Sequence, residues 1–353
     1  MLRRLHRELR TDARHTRGTQ MRALVRRIGQ GAVVVAIVAA ATFVLVRLAP
    51  GDPFATALDN ARLTPALRAQ WRAAYGLDGS IGTQFLHWIT ALARGDLGWS
   101  TSTGQPVSAA IAQALPHTLL LMSVALTIAF ALGMLLGAWQ ASRRDTITDR
   151  GVGGLTLIVG ALPDFWLSLV ILLGGAYWLR LFPVGGASDP LLPLAASSLT
   201  ILVDRLHHLV LPALTLVLLI AAPVARQQRA ALLDRLLGAD WVRTATAKGV
   251  SAGTVFRRHA WRTALGPVIT LGGLTLPAVV GGSVFVERVF AWPGMGRLAA
   301  SAIAARDYHL VVGCVLVGTV MVVCGSTIAD LLAQRLDPRV EFDDSHPIVA
   351  AQT

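Results

Sequence analysis

The stretch His117-Thr-Leu-Leu-Leu-Met-Ser-Val-Ala-Leu-Thr-Ile-Ala-Phe-Ala-Leu-Gly-Met-Leu-Leu-Gly-Ala-Trp-Gln140 carries no acidic or basic side chain after its opening histidine. Coiled as a helix, a run of that length rises about 36 Å, more than the roughly 30 Å hydrocarbon core of a bilayer. The rest of the chain has the same character. Of its 353 residues 54% are hydrophobic and 15% charged, with a mean hydropathy of +0.58. That balance leaves too little polar surface for a soluble globule, so the chain is an integral membrane protein.

Working outward from this stretch, windows of about 20 apolar residues place further spans at 28–48, 151–179, 209–225, 264–286 and 310–333. Together with 117–140 they make six spans, an all-α polytopic bundle over residues 28–333, with polar tails at 1–27 and 334–353. The third span has Pro163 near its middle, and the short fourth span holds Pro212 and Pro223. Proline removes a backbone donor and clashes with the preceding turn, so both spans are expected to be kinked or partly unwound. In the fifth span Gly272, Gly273, Gly281 and Gly282 suit close helix contact, and Pro277 suggests a bend.

All but one of the 32 basic residues are arginine, and the net charge is +12. Charge is excluded from hydrocarbon, so it collects in tails and loops. Nine arginines lie in the first 27 residues, and the segment 226–263 holds Arg226, Arg229, Arg235, Arg243, Lys248, Arg257, Arg258 and Arg262. The positive-inside bias places both in the cytoplasm. Arg143, Arg144 and Arg150 then fall on the same side. Loop 49–116, where four arginines are balanced by Asp52, Asp59, Asp78 and Asp96, is external, and both termini are cytoplasmic. Apolar character continues past Ala39–Ala41 to Leu48, which favours an uncleaved anchor over a signal peptide. Met21, directly ahead of Arg22, offers a second start.

The external loop carries two amphipathic patterns that together read as a periplasmic cap. Thr64 and Pro65 open the first, with Leu67, Trp71, Ala74 and Tyr75 on one face before Gly76. Phe85, Trp88, Ile89 and Leu92 form the second, which stops at Gly95.

Inside, Asp240 can cap a two-turn helix over Trp241-Val-Arg-Thr-Ala-Thr-Ala-Lys248, Gly249 supplies a left-handed stop, and Ser251 can cap the next helix. A helix so short is marginal alone and needs a contact to persist. Lys248 is the chain's only lysine and is followed by glycine, so no ordinary phosphate-binding loop exists here and any ATPase must be a separate subunit. The basic clusters are separated by apolar spans, which excludes a nucleic-acid face. His207 and His208 are adjacent, no HExxH or CxxC occurs, and neither a metal nor a cofactor is expected. Cys314 and Cys324, about 15 Å apart on one helix, are packing or lipid-facing residues.

Thr244-Ala-Thr-Ala-Lys-Gly249 followed by Arg258-His-Ala-Trp-Arg-Thr-Ala-Leu-Gly-Pro267 resembles the cytoplasmic coupling loop of permeases of binding-protein-dependent ABC importers. The likeness is to the first of the two paired permeases of dipeptide, oligopeptide and nickel systems. It extends through Arg47-Leu-Ala-Pro-Gly-Asp-Pro53, Tyr75-Gly-Leu-Asp78, Gly95-Asp-Leu-Gly-Trp-Ser100 and Leu162-Pro-Asp-Phe-Trp166. It continues through Val289-Phe-Ala-Trp-Pro-Gly-Met-Gly-Arg-Leu298, Arg306-Asp-Tyr308 and Leu336-Asp-Pro-Arg339. Thr246, Gly266 and His309 depart from the family's usual arginine, leucine and proline. The resemblance implies an inner-membrane transport subunit, not an enzyme. Its implied partners are a second homologous permease, two ATP-binding cassette ATPases and a periplasmic or lipid-anchored binding protein. It also implies a coupling helix that sits in an ATPase cleft, with Asp240, Arg243, Thr244, Ala245, Ala247, Lys248 and Gly249 as the contacts.

Asp164, beside Pro163 in mid-span, reads as a residue of the translocation pathway, as an acceptor for backbone groups that the proline frees, or as the partner of an arginine from a neighbouring subunit. A proton-coupled secondary transporter is the alternative reading, but it predicts inverted repeats, and none is visible. A non-transporting scaffold would make the coupling loop replaceable, and an intramembrane protease finds only Gly325-Ser326 as a faint signal.

Overall fold

The computed structural model describes residues 25–46, 48, 79–193, 196–237, 240–261 and 264–336. Its elements are α1 (Val25–Val46), α2 (Ile81–Ala93), a hairpin of β1 (Trp99–Ser100) and β2 (Gln105–Pro106), α3 (Val107–Ser142), α4 (Ile147–Ala161) and α5 (Asp164–Leu172). Then follow α6 (Ser198–Leu237), α7 (Asp240–Ala247), the short α8 (Ala252–Thr254), α9 (Leu265–Val289), α10 (Met295–Ala304) and α11 (Tyr308–Leu336). Helix α5 continues as a π-helical turn over Leu173–Trp178, and α8 as another over Val255–Ala260. The expected helix at Thr64–Tyr75 and the strings at 47–53, 75–78 and 336–339 lie wholly or partly outside the described residues.

Four helices among the described residues are long and apolar enough to cross a membrane, within α1, α3, α6 and α11. The pair α4 and α5 passes the same test together but is bent by 105°. The expected unwinding of the third span is therefore a sharp break. Proline disfavours helix at the residue before it, and Leu162 is extended at φ −73°, ψ 138°.

The fourth span requires correction. It is neither short nor unwound, because α6 runs 40 residues through both Pro212 and Pro223. Each proline forfeits only one ladder hydrogen bond, a loss that neighbouring turns and packing tolerate in a long apolar helix. Arg226, Arg229 and Arg235 thereby move from the expected loop into this helix. Likewise α9 continues through Pro277, and α3 begins ten residues before the expected span and encloses Pro116.

The chain divides into two compact units whose boundaries fall inside helices. The first comprises residues 1–122, 168–212 and 280–323. Its core joins Val107, Ala110, Ile111 and Ala114 of α3 to Met295 and Ala302 of α10 and to Leu310 and Cys314 of α11. The second amphipathic pattern is the observed α2: Ser80 accepts a hydrogen bond from Thr83 N–H at its start, and Gly95 is left-handed just past its end, at φ +80°. Phe85 and Trp88 of α2 contact the Phe43 ring of α1 at centroid distances of 5.2 and 5.4 Å. Helix α2 is thus packed on the first span and is not a free linker. Cys314 is buried and Cys324 exposed, and both are free thiols.

The second unit comprises residues 123–167, 213–279 and 324–353. Ala138 and Ala141 of α3, Leu232 of α6, Ala260 and Ala264 form its buried cluster. Gly133 and Gly137, one turn apart on α3, face α6 so closely that a Cβ on Gly133 would lie 2.9 Å from the Ala221 carbonyl oxygen. On Gly137 it would overlap the Ala225 carbonyl oxygen and approach Gln228 Cβ at 2.8 Å. This is the small-residue contact by which helices approach each other in lipid.

Two substitutions of the same kind should therefore act in opposite directions. Gly154 sits on the exposed side of α4, and a Cβ there would meet nothing within 4 Å, so Gly154→Ala should stabilise by about 0.5–1 kcal/mol through helix propensity. Gly137→Ala, which must push two backbones apart, should lower the melting temperature of the purified protein in detergent by several degrees.

Candidate functional site

The segment expected to couple begins with α7. The helix includes Asp240, the expected cap, as its first residue, one position before the expected start at Trp241, and closes at Ala247. Lys248 N–H donates to Thr244 O at 3.1 Å and Val250 N–H to Ala245 O at 3.1 Å, with Gly249 at φ +80°. The 250-to-245 bond around a left-handed glycine is the Schellman closure, which satisfies carbonyls that the helix end would leave bare. Ser251 follows with its hydroxyl 2.9 Å from that of Thr254, and Thr254 N–H donates to Ser251 O at 2.9 Å.

Exposure divides the expected contact set by helix face. Arg243, Thr244, Ala247 and Lys248 are exposed and follow at i, i+1, i+4 and i+5, one continuous side of the helix. Trp241 extends that side, whereas Val242 and Ala245 turn toward the chain itself and are half-buried. Small and basic side chains thus share the open face. Gly266, one of the family departures, is exposed with open space around it.

Asp164 opens α5 directly after the break and is half-buried; its Oδ1 accepts a hydrogen bond from Phe165 N–H at 2.8 Å. It therefore takes one of the backbone donors that the proline leaves unpaired.

Elsewhere in the same unit, Asp149 in the first turn of α4 is 3% exposed and receives both Nε (2.9 Å) and Nη2 (2.7 Å) of Arg229. Asp145 N–H adds a third donor at 3.1 Å. A bidentate fork plus a backbone donor is the arrangement that makes a buried carboxylate tolerable.

In the first unit two carboxylates are buried outright. Glu287, near the end of α9, is 0% exposed: Thr118 Oγ1–H donates to Oε1 at 2.8 Å and Arg297 N–H to Oε2 at 3.0 Å. Thr118 in turn accepts from Met295 N–H at 2.7 Å, and Trp292 Nε1–H donates to His117 O at 3.0 Å. Gly294 and Gly296 are needed here, because a Cβ on Gly294 would strike the Glu287 carboxylate and one on Gly296 would come within 2.7 Å of Val284 Cα.

Asp307 is 1% exposed and caps α11 through Leu310 N–H at 3.2 Å. Its other oxygen accepts from Ser100 Oγ–H (2.6 Å), Ser102 N–H (2.9 Å) and Ser102 Oγ–H (2.8 Å). His309, another departure, packs its ring on Gly98, where a Cβ would come within 2.8 Å of Cδ2.

Strings far apart in sequence therefore meet. Gly95–Ser100 closes on Arg306–Tyr308, and 289–298 closes on His117 and Thr118. Glu287 and the Asp149–Arg229 pair were not singled out from sequence. The available signal was an acidic residue bordering an apolar run, the kind that persists only when partnered.

Comparison with known proteins gives a consistent result. The family described as binding-protein-dependent transport system inner membrane component matches residues 129–342, and the N-terminal region of such membrane components matches 20–122. The chain is 37% identical over 302 residues to the oligopeptide transport system permease protein AppB of Bacillus subtilis, covering 85% of this chain and 93% of that one. It is 37% identical to a putative peptide transport system permease protein of Brucella abortus, covering 91% and 99%. Identity is 34% to the di/tripeptide transport system permease protein DppB of Pseudomonas aeruginosa, covering 85% and 92%.

Burial pushes the Asp307 carboxyl up, but the hydrogen bonds from Ser100, Ser102 and Leu310 outweigh it and hold the pKa below the usual aspartate value. A depressed carboxylate contributes stability above its unfolded pKa and loses it as pH falls through the folded value. Asp307→Asn should therefore melt below the unsubstituted protein at pH 7, and the gap should narrow as the solution is taken below about pH 4, measured by thermal unfolding in detergent.

Proposed function

Because the chain belongs to the family of binding-protein-dependent transport system inner membrane components, we propose that it works as follows. It is a membrane-embedded permease subunit and not itself an enzyme. With a homologous permease, two ATPases and an external binding protein, it imports peptide-like solutes, either di- and oligopeptides or a chelated nickel ion, by alternating access. It has six spans with both termini in the cytoplasm of a bacterial cell. The relatives' names, which specify peptide transport, support the solute class.

The observation that carries the coupling role is the open face of α7. Arg243 and Lys248 flank Ala247 on an exposed side, and a helix of only eight residues is locked at its end by Gly249. A short helix gains little from its own hydrogen bonds, so one that presents small and basic residues outward is suited to an acidic-rimmed cleft. Ala247 permits close approach, and the two cations steer docking. Asp240, Thr244, Ala245 and Gly249 complete the segment. Closure of the ATPases on ATP would then move α6 and α9, between which α7 lies in the chain.

Reconstitution tests the reading. With binding protein and ATPases present, liposomes should take up tri-alanine only on addition of ATP; gradient-driven uptake by this chain alone would instead establish a secondary transporter. Proline cannot adopt φ +80°, so Gly249→Pro should reduce ATP-driven uptake at least tenfold while leaving membrane insertion intact.

Asp164, in turn, lines the translocation path at the α4/α5 break and meets the solute's amino group. Asp164→Asn should lower solute-stimulated uptake severalfold, and unchanged uptake would remove this role.

A further inference from the structure

Of the arginines expected in the loop, Arg226 lies furthest inside α6. Instead of lying in a loop it is within α6, half-buried, three residues before Arg229. The two arginines reach different parts of α4. Arg229 is committed to Asp149 at the start of that helix, while Arg226 extends along it, donating from Nη1 to Thr156 O at 3.3 Å. A Cβ on Gly160 would lie 3.2 Å from Nη1 and 3.3 Å from Nη2, so the guanidinium rests closely against the helix at this glycine. Asp149 and Gly160 are separated by about 16 Å of helix rise. Arg226 therefore carries its charge well away from the Arg229 pair, toward the end of α4 that stops at Leu162 and Pro163.

A guanidinium has five N–H donors in a planar fork. Among the described residues, that of Arg226 makes one hydrogen bond, a long one to a neutral carbonyl, and pairs with no carboxylate. A cation in a membrane helix is retained for a partner. The carbonyl end of α4 supplies partial negative charge, but the geometry that matches the fork is a carboxylate accepting two parallel bonds. The setting fits a solute. Broken backbone at membrane depth is tolerated where it borders a wet path, and Phe165 and Trp166, just beyond the break, are 46% and 47% exposed.

We propose that Arg226 is a solute-binding residue that receives the terminal carboxylate of the peptide-like solute at the α4/α5 break, with Phe165 and Trp166 beside the solute's apolar groups. This rests on the reading of the chain as a peptide importer.

The complete transporter in liposomes tests it with two probes, tri-alanine and its C-terminal amide, on the unsubstituted chain, Arg226→Lys and Arg226→Gln. The binding protein and ATPases stay unaltered, so a change in the ratio of kcat/KM for the two probes belongs to this chain. Arg226→Gln should lower kcat/KM for the free acid about tenfold and change the amide less than twofold. Arg226→Lys, which keeps the charge but not the fork, should fall between. Equal losses on both probes with a lowered melting temperature would make Arg226 a cap of α4 and overturn the proposal, as would unchanged kinetics in both variants. If the unsubstituted transporter moves neither probe, the peptide reading itself fails and the carboxylate site falls with it. That outcome is distinct, since it appears before any substitution is made.

Discussion

In hydrocarbon every backbone N–H and C=O must find a partner within the protein, and the rest of this structure follows from that requirement. Helix is the element that meets it locally, which is why the long apolar runs become α1, α3, α6 and α11. The prolines show how narrowly it operates. Pro116, Pro212 and Pro223 each sit inside an unbroken helix, where one missing donor is absorbed. At Pro163 the chain departs from helix altogether, and Asp164 accepts from Phe165 N–H where helix resumes. The two helices on either side of it are bent by 105°.

The same requirement governs the buried carboxylates. Glu287, Asp307 and Asp149 are each nearly or fully inaccessible, and each accepts several hydrogen bonds from backbone or side-chain donors. They act as bolts between segments remote in sequence. Asp307 joins the hairpin turn to the start of α11, Glu287 joins α9 to α3 and to the first turn of α10, and Asp149 joins α4 to α6. Breaking a bolt by removing one partner leaves an uncompensated polar group, which costs more than the bond itself contributes. Gly98, Gly294 and Gly296 belong to these junctions because a side chain there would occupy the space of His309, of the Glu287 carboxylate or of the Val284 backbone.

Beside these junctions α7 stands apart. Its closure is local, through Gly249, and its Arg243, Thr244, Ala247 and Lys248 face outward. The docking proposed for α7 requires a face left open in this way. The half-buried Ala245 shows that one side of the helix is used internally, so a force applied to the open face would be transmitted to the rest of the chain through the other.

By itself the sequence determined the membrane class, the helical runs, the turn at Gly249 and the break at Pro163. These depend on local properties: apolar length, proline's missing donor and glycine's access to positive φ. Tertiary structure alone decided that α6 would pass straight through Pro212 and Pro223. It also decided that Arg226 would lie along α4 and that Glu287 would meet Thr118 across 169 positions of sequence. Helix continuity at a proline depends on packing around it, and the partner of a buried charge depends on which helices adjoin, neither of which is encoded within one turn of the chain.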